Sequence, residues 1–444
     1  MPEQDRTKEP RERLDSAPLA TPLSYGRLTT VTERKRALII LFCSLMCVGA
    51  GQSVLFAILP PISRKLDITP FQVTSIFAVS ALIWVFSSPY WGERSDHVGR
   101  KPIMLMGLIA FAVSFGSFAS VMLLGLNNLI PLAFVYPLMI LTRSIYGTLG
   151  SGTFVSAEAY VADRTSREER TRWVATIAAA FGLGTTVGPG IGSALVVFGL
   201  FAPFYFISAV AVLSAAAIWY FLPERSRPRS KHPIEQRLKW HDRRMRPFVL
   251  FGFILSTAGA IPIQTVAFFF MDVLHLKESA AAQNVGIGLM ASSMSALFAQ
   301  LVLVQQFNPS ARTLMRVGTA IAVASNAIFL ISHSFGPLVF AMALSGLGFG
   351  MARPGYAAAA SLSVSPEEQG AVAGVVGATS ATGFIVGPVI GALYEVSPLA
   401  PYALGAVLMA ALFLYARFSP NLRYAGLVTP EVSEEIPETQ VPNA

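Results

Sequence analysis

Residues 92–102 read GERSDHVGRKP. An uncharged apolar stretch ends at Trp91, immediately before them, and a second begins at Ile103. A charge held at the centre of a bilayer costs roughly 3 kcal/mol or more. So short and charged a connection must therefore sit at a membrane face, and the stretches on either side become membrane spans. The rest of the chain can be placed from this point outward.

The composition agrees. Of 444 residues, 53% are hydrophobic and only 13% charged, about half the charged fraction usual in soluble domains. Apolar tracts recur along the whole length and mark twelve spans, at about 37–60, 71–92, 102–124, 131–162, 169–198, 203–222, 247–273, 281–306, 313–334, 336–362, 369–396 and 400–418. Lipid satisfies no backbone hydrogen bonds, and these tracts are too long and too uniformly apolar for barrel strands, so the spans are helices. An all-α membrane protein is expected.

Lysines and arginines set the orientation. With the N-terminus inside, 28 of the 33 fall on the cytoplasmic side and 3 (Arg64, Lys65, Lys277) outside, while Arg143 and Arg353 lie within spans. That asymmetry puts both termini in the cytoplasm. It also accounts for the net charge of +8 without nucleic acid as a partner. Residues 1–35 read as a disordered cytoplasmic tail rather than a signal peptide, and 419–444 as a second tail. Cys43 and Cys47 stand one helical turn apart in span one and read as small apolar filler, with no disulfide framework and no metal spacing.

The basic segment 223–246 separates a six-helix bundle (36–222) from a second one (247–418). An internal repeat at an offset of 199 residues supports this division. Ser166-Arg-Glu-Glu169 recurs as Ser365-Pro-Glu-Glu368, each a helix-capping box. Gly184-Thr-Thr-Val-Gly188-Pro189-Gly-Ile-Gly192 recurs as Gly383-Phe-Ile-Val-Gly387-Pro388-Val-Ile-Gly391. Two parallel repeats related by an axis along the membrane normal make a pseudo-symmetric architecture that a transporter, a channel or a scaffold can carry.

The pattern G-x-x-x-D-x-x-G-R-K, filled here by Gly92, Asp96, Gly99, Arg100 and Lys101, resembles the signature between the second and third helices of the major facilitator superfamily of secondary transporters. The resemblance implies that Asp96 faces the N-terminal end of span eleven across the interface between bundles. It also implies that Arg100 bridges to Asp163 at the end of span four, making a cytoplasmic latch. The corresponding stretch of the second half, 305–316, lacks the Gly and Asp. Gly184, Gly188, Pro189 and Gly192 resemble the span-five motif of tetracycline and multidrug antiporters, which export by exchange with protons. Glycines four apart allow close helix contact, and Pro189 removes a backbone hydrogen bond.

Ionisable groups inside a membrane are functional candidates because lipid makes them expensive. Arg143 stands mid-span in LTRSIYG, and the resemblance implies a part in proton coupling. Glu158, in SAEAYVAD, is the most deeply placed carboxylate; Asp272 and Glu395 fall at outer span ends, close to water. Arg353 precedes Pro354 in span ten and is expected to face Glu158 across a central cavity, with Tyr356 and Gln52 as further cavity groups. Many antiporters of the resembled group carry an acid in span one, where this chain offers only Gln52. Aromatic residues such as Phe56, Trp84, Tyr205, Phe206, Phe268, Phe269 and Phe270 are candidates for contact with a lipophilic substrate. Phosphate loops, zinc spacings and nucleophile motifs are absent from the sequence, so enzymatic chemistry is not expected. The expectation is a monomeric bacterial inner-membrane transporter in contact with lipid. It exports a small amphipathic compound against protons, with the proton gradient as energy source and no cofactor. The alternatives are proton-coupled movement of an anionic metabolite or siderophore, and a non-transporting receptor or scaffold of the same fold.

Overall fold

The computed structural model describes residues 31–164, 167–223, 244–364 and 368–419, and twelve of its helices are long and apolar enough to cross a membrane. In chain order they are α1 (Val31–Lys65), α2 (Pro70–Val98), α3 (Arg100–Leu126), α4 (Leu132–Ile145, then Tyr146–Gly150 and Ser151–Arg164), α5 (Arg167–Leu195) and α6 (Ala202–Phe221). The second set is α7 (Arg246–Leu274), α8 (Glu278–Phe298, then Ala299–Val304 and Gln305–Phe307), α9 (Ala311–Ile331), α10 (Phe335–Ser361), α11 (Gln369–Ile385 and Gly387–Val396) and α12 (Ala400–Phe418). No strand occurs among the described residues. The helices form two six-helix bundles, and the face carrying residues 92–102 is called the basic face below. The two expected capping boxes cannot be followed, because Ser166 and Ser365 lie outside the described residues, as do most of the linker and both chain ends.

Local sequence explains the helix ends that matter. Thr69 caps α2 by accepting from the Gln72 amide, the Gln72 side chain reaches back to the Thr69 amide, and Pro70 fills the first turn. At the other end of α2 the expected loop is hardly a loop. Helix continues from Gly92 to Val98 and resumes at Arg100, leaving Gly99 alone between them, at φ 110°. Only glycine holds that backbone without strain, which explains one fixed position of the signature.

Three helices depart from regular geometry, α8 through a π segment over Ala299–Val304. In α4 a π turn over Tyr146–Gly150 begins three residues after Arg143, and the Thr148 carbonyl accepts from Trp91 Nε1 at 2.6 Å. Such turns free backbone groups and recur at functional sites. In α11 the helix breaks at Val386, just before Pro388.

The glycine row of α5 packs on α1: a Cβ on Gly184 would lie 2.8 Å from the Ala50 nitrogen, and one on Gly188 2.8 Å from Ala50 Cα. In the second half Gly383 of α11 meets Ser256 of α7 in the same way. The repeat seen in sequence is thus a repeat of packing.

The apolar core shows where the bundles meet. One buried cluster runs through the first bundle and on into the far-face ends of α7, α8, α10, α11 and α12, including Phe268, Phe269, Phe270, Ile390 and Tyr402. A second cluster, with Phe248, Phe251, Met315, Tyr356 and Met409, fills the basic-face half of the second bundle by itself. The halves share a core on one side and not on the other.

Candidate functional site

The shared side closes through two pseudo-symmetric helix pairs. Gly391 of α11 lies against α2, where a Cβ would come 2.7 Å from the Pro70 carbonyl oxygen and 2.8 Å from Phe71 Cα. Gly286 of α8 lies against α5, where a Cβ would come 3.0 Å from the Pro189 carbonyl oxygen. The Gly-Pro segment of each half therefore sits at a contact between halves. By contrast, a Cβ on Gly182, Gly374 or Gly377, nearer the basic face on α5 and α11, would meet nothing within 4 Å.

A polar clasp covers the closed face. Arg64 of α1 donates to both carboxylate oxygens of Asp272 on α7, at 2.8 and 3.0 Å, and the Tyr394 hydroxyl of α11 donates to the same carboxylate at 2.7 Å. The Phe71 amide donates to Glu395 at 2.9 Å. Arg64 also lies over the Phe268 ring, 5.4 Å from its centroid. A hollow of about 520 Å³ opens above, lined by Arg64, Asp67, Asp272, Tyr394 and Glu395. Sequence reading counted Arg64 as an outside charge and took Asp272 and Glu395 as separate acids. Their partnership depends on how the halves dock, which no local pattern records. Below the clasp, Phe56 of α1 stacks on Phe384 of α11 at 5.6 Å and meets Phe77 of α2 at 4.8 Å, a second link across the halves.

At the basic face, the signature residues form a knot within the first half. Arg100 is 5% exposed; it donates to Ser95 Oγ and to Asp96, and its Nε lies 3.2 Å from Asp163 Oδ2, the bridge the resemblance implied. Lys101 donates to the Trp219 carbonyl at 2.7 Å. Gly92 gives close approach to α4, since a Cβ there would be 3.1 Å from Val155 Cγ1. Asp96 has no hydrogen bond or ion pair with α11 among the described residues, and residues 365–367, immediately before Glu368 where span eleven begins, lie outside them. Arg100→Ala leaves two carboxylates facing each other. Because these are 39% and 28% exposed, the expected cost is about 2 kcal/mol rather than that of a fully buried pair. A lowered thermal midpoint in detergent checks it.

Mid-span, Arg143 and Gln52 come together. Arg143 is 4% exposed, donates through Nη2 to Gln52 Oε1, and lies over the Tyr146 ring at 4.8 Å. Its Nε and Nη1 have no hydrogen-bond partner among the described residues. Glu158 is half-buried one helical segment later, and it forms no ion pair with Arg353 among the described residues. Arg353 is exposed beside Gly259 of α7. Tyr356, expected in the cavity, is instead 3% exposed: it packs against Gly252, stacks on Phe251 and shares a hydrogen bond with Thr379 at 2.9 Å. Phe268, Phe269 and Phe270 are fully buried, so they are packing rather than lining.

The Major Facilitator Superfamily profile matches residues 41–325 and 302–439. The chain belongs to that family. It is a transporter and not an enzyme. It is 22% identical to Multidrug resistance protein 2 of Bacillus subtilis (strain 168), over 82% of this chain and 90% of that one. It is 26% identical to the class B tetracycline resistance protein of Escherichia coli, over 81% and 87%. Among solved structures, a bacterial homolog of the human lysosomal transporter Spinster, in an inward-facing and occupied conformation, superimposes with a TM-score of 0.67. That match has 15% identity and covers 89% of this chain and 94% of the other, so the fold is shared.

Proposed function

We propose that this transporter is a proton-driven antiporter that exports small amphipathic compounds across a bacterial inner membrane, as a monomer and without a cofactor. With 28 of the 33 basic residues assigned by sequence to the cytoplasmic side, the face carrying residues 92–102 is read as cytoplasmic and the state described as open inward. The clasp of Arg64, Asp272, Tyr394 and Glu395 is then the outer gate, and its release lets the halves rock about the central site.

The observation that carries the reading is Arg143, a charged group enclosed mid-membrane with two unpartnered donors. A buried guanidinium with open donors needs an anion during some part of the cycle. Glu158, half-buried and without a hydrogen-bond partner among the described residues, can take up and release a proton as the surroundings change. The names of the relatives in Bacillus subtilis and Escherichia coli support drug-like cargo.

Proteoliposomes with an imposed pH gradient and an internal pH dye provide the test. Addition of a transported tetracycline-like or other lipophilic compound is expected to drive proton movement. Glu158→Gln and Arg143→Ala are expected to abolish that movement, each by at least about tenfold. Substrate flux that persists with no proton movement in the unaltered protein would end the antiport reading.

A further inference from the structure

The middle of α10 is enclosed on nearly every side. From residue 341 to residue 357, Arg353 alone is exposed. The partly exposed apolar residues Leu344, Leu347 and Pro354 and the exposed Ala358 follow helical spacing on another side of α10, and Arg353 opens away from them, about 100–180° round the helix. It lies beside α7: a Cβ on Gly259 would stand 3.3 Å from Arg353 Nη2 and 3.2 Å from Phe349 Cε1. Phe349 precedes Arg353 by one turn on the same face of α10. Between Leu255 and Met271, α7 is buried at every residue except Ile263, so the space at Gly259 lies between the helices and not on the outside of the bundle.

Arg353 has no hydrogen bond or ion pair among the described residues, and Asp and Glu occur in the middle of the described spans only at Glu158. Arg143, Arg353 and Arg316, the last as far inside α9 as Glu158 is inside α4, thus outnumber one acid between the faces. A guanidinium keeps its charge at all ordinary pH and presents a planar fork that matches a carboxylate in two parallel hydrogen bonds. Low-dielectric walls focus the field of one sign within a cleft, attracting anions and excluding cations.

We infer that Arg353, with the Phe349 ring beside it, is the head-group subsite of the transport path and selects amphipathic carboxylates over their neutral and cationic counterparts. This rests on the central space being the transport path and deepens the reading above by naming the charge of the cargo. Gly259 belongs to the subsite, because a Cβ there would press on both the guanidinium and the Phe349 ring.

Three probes with one ring system decide it: 1-naphthylacetate, 1-naphthylacetamide and 1-naphthylmethyltrimethylammonium. Each is titrated calorimetrically into the full chain in detergent. The carboxylate is expected to bind about tenfold tighter than the amide, and the cation weakest. Arg353→Gln is expected to bring the carboxylate down to the amide and to raise the cation, while Arg353→Lys keeps part of the preference. If Arg353→Gln fails to fold, Gly259→Ala replaces it. That variant retains the charge, crowds the guanidinium and the Phe349 ring, and is expected to weaken the carboxylate alone by several-fold. The inference is overturned by an order led by the amide or the cation, by no binding of any probe, or by a carboxylate preference unchanged in the folded variants. Proton movement is recorded separately in proteoliposomes. Arg353-dependent carboxylate binding without proton movement would remove antiport and keep the subsite; proton-coupled export of the cation, indifferent to Arg353, would do the reverse.

Discussion

Gly188→Val is expected to leave little folded protein. A Cβ at this position would lie 2.8 Å from Ala50 Cα and 2.5 Å from the Ala50 carbonyl oxygen, both backbone atoms of α1. Neither can rotate away as a side-chain tip can. The contact is within one half, so rocking of the halves does not relieve it, and every conformation of the cycle carries the clash. Overpacking against side chains costs about 1–3 kcal/mol, and a clash with backbone falls at or above the upper end. Loss of the monodisperse peak in size-exclusion chromatography checks this, with Gly377→Ala as control. Gly377 meets nothing within 4 Å, and alanine is the better helix former by roughly 1 kcal/mol.

Gly391→Val is expected to behave differently, though its local clash is as severe. Here the obstructed atoms, the Pro70 carbonyl oxygen and Phe71 Cα, belong to the opposite half. Opening the outer face separates them, so the variant should fold and abandon the inward-open state. A clash worth about 3 kcal/mol moves a two-state equilibrium by roughly a hundredfold, enough to invert most populations. The expected result is a stable protein that remains open outward, with transport lost and folding retained. Equal destabilisation in both glycine variants would mean that α11 and α2 never part.

The fold was legible because its signals are local and repeated. Apolar tracts gave the spans, and the duplicated Gly-Pro segments the two halves. The Arg100–Asp163 bridge was accessible through the resemblance, and the glycine row of α5 faces its neighbour helix as four-residue spacing requires. What escaped was set by docking. Arg64, Asp272, Tyr394 and Glu395 come from four places in the sequence, and each alone is an ordinary polar residue at a span end. Tyr356 misled for a related reason: it lies three residues after Arg353, about 60° round the helix, but its hydroxyl is taken up by Thr379 of α11 and its ring by Gly252 of α7, partners that only the packing of three helices supplies. The π turn after Arg143 has no sequence signature at all, since it is the Trp91–Thr148 contact that makes use of it.

Central to this account is that the outer clasp and the basic face open in alternation. Two spin-label pairs measure this directly in a chain whose Cys43 and Cys47 are replaced by serine. One pair, at Asp67 and Ser397, spans the clasp; the other, at His97 and Gly374, spans the basic face. Pulsed electron-resonance distances are then recorded across pH and with Asp272→Asn, which removes the carboxylate charge shared by Arg64 and Tyr394. The clasp pair is expected to lengthen as the basic-face pair shortens, in equal populations. Distances that change together, or a clasp pair that stays fixed when Asp272 is neutralised, would contradict it.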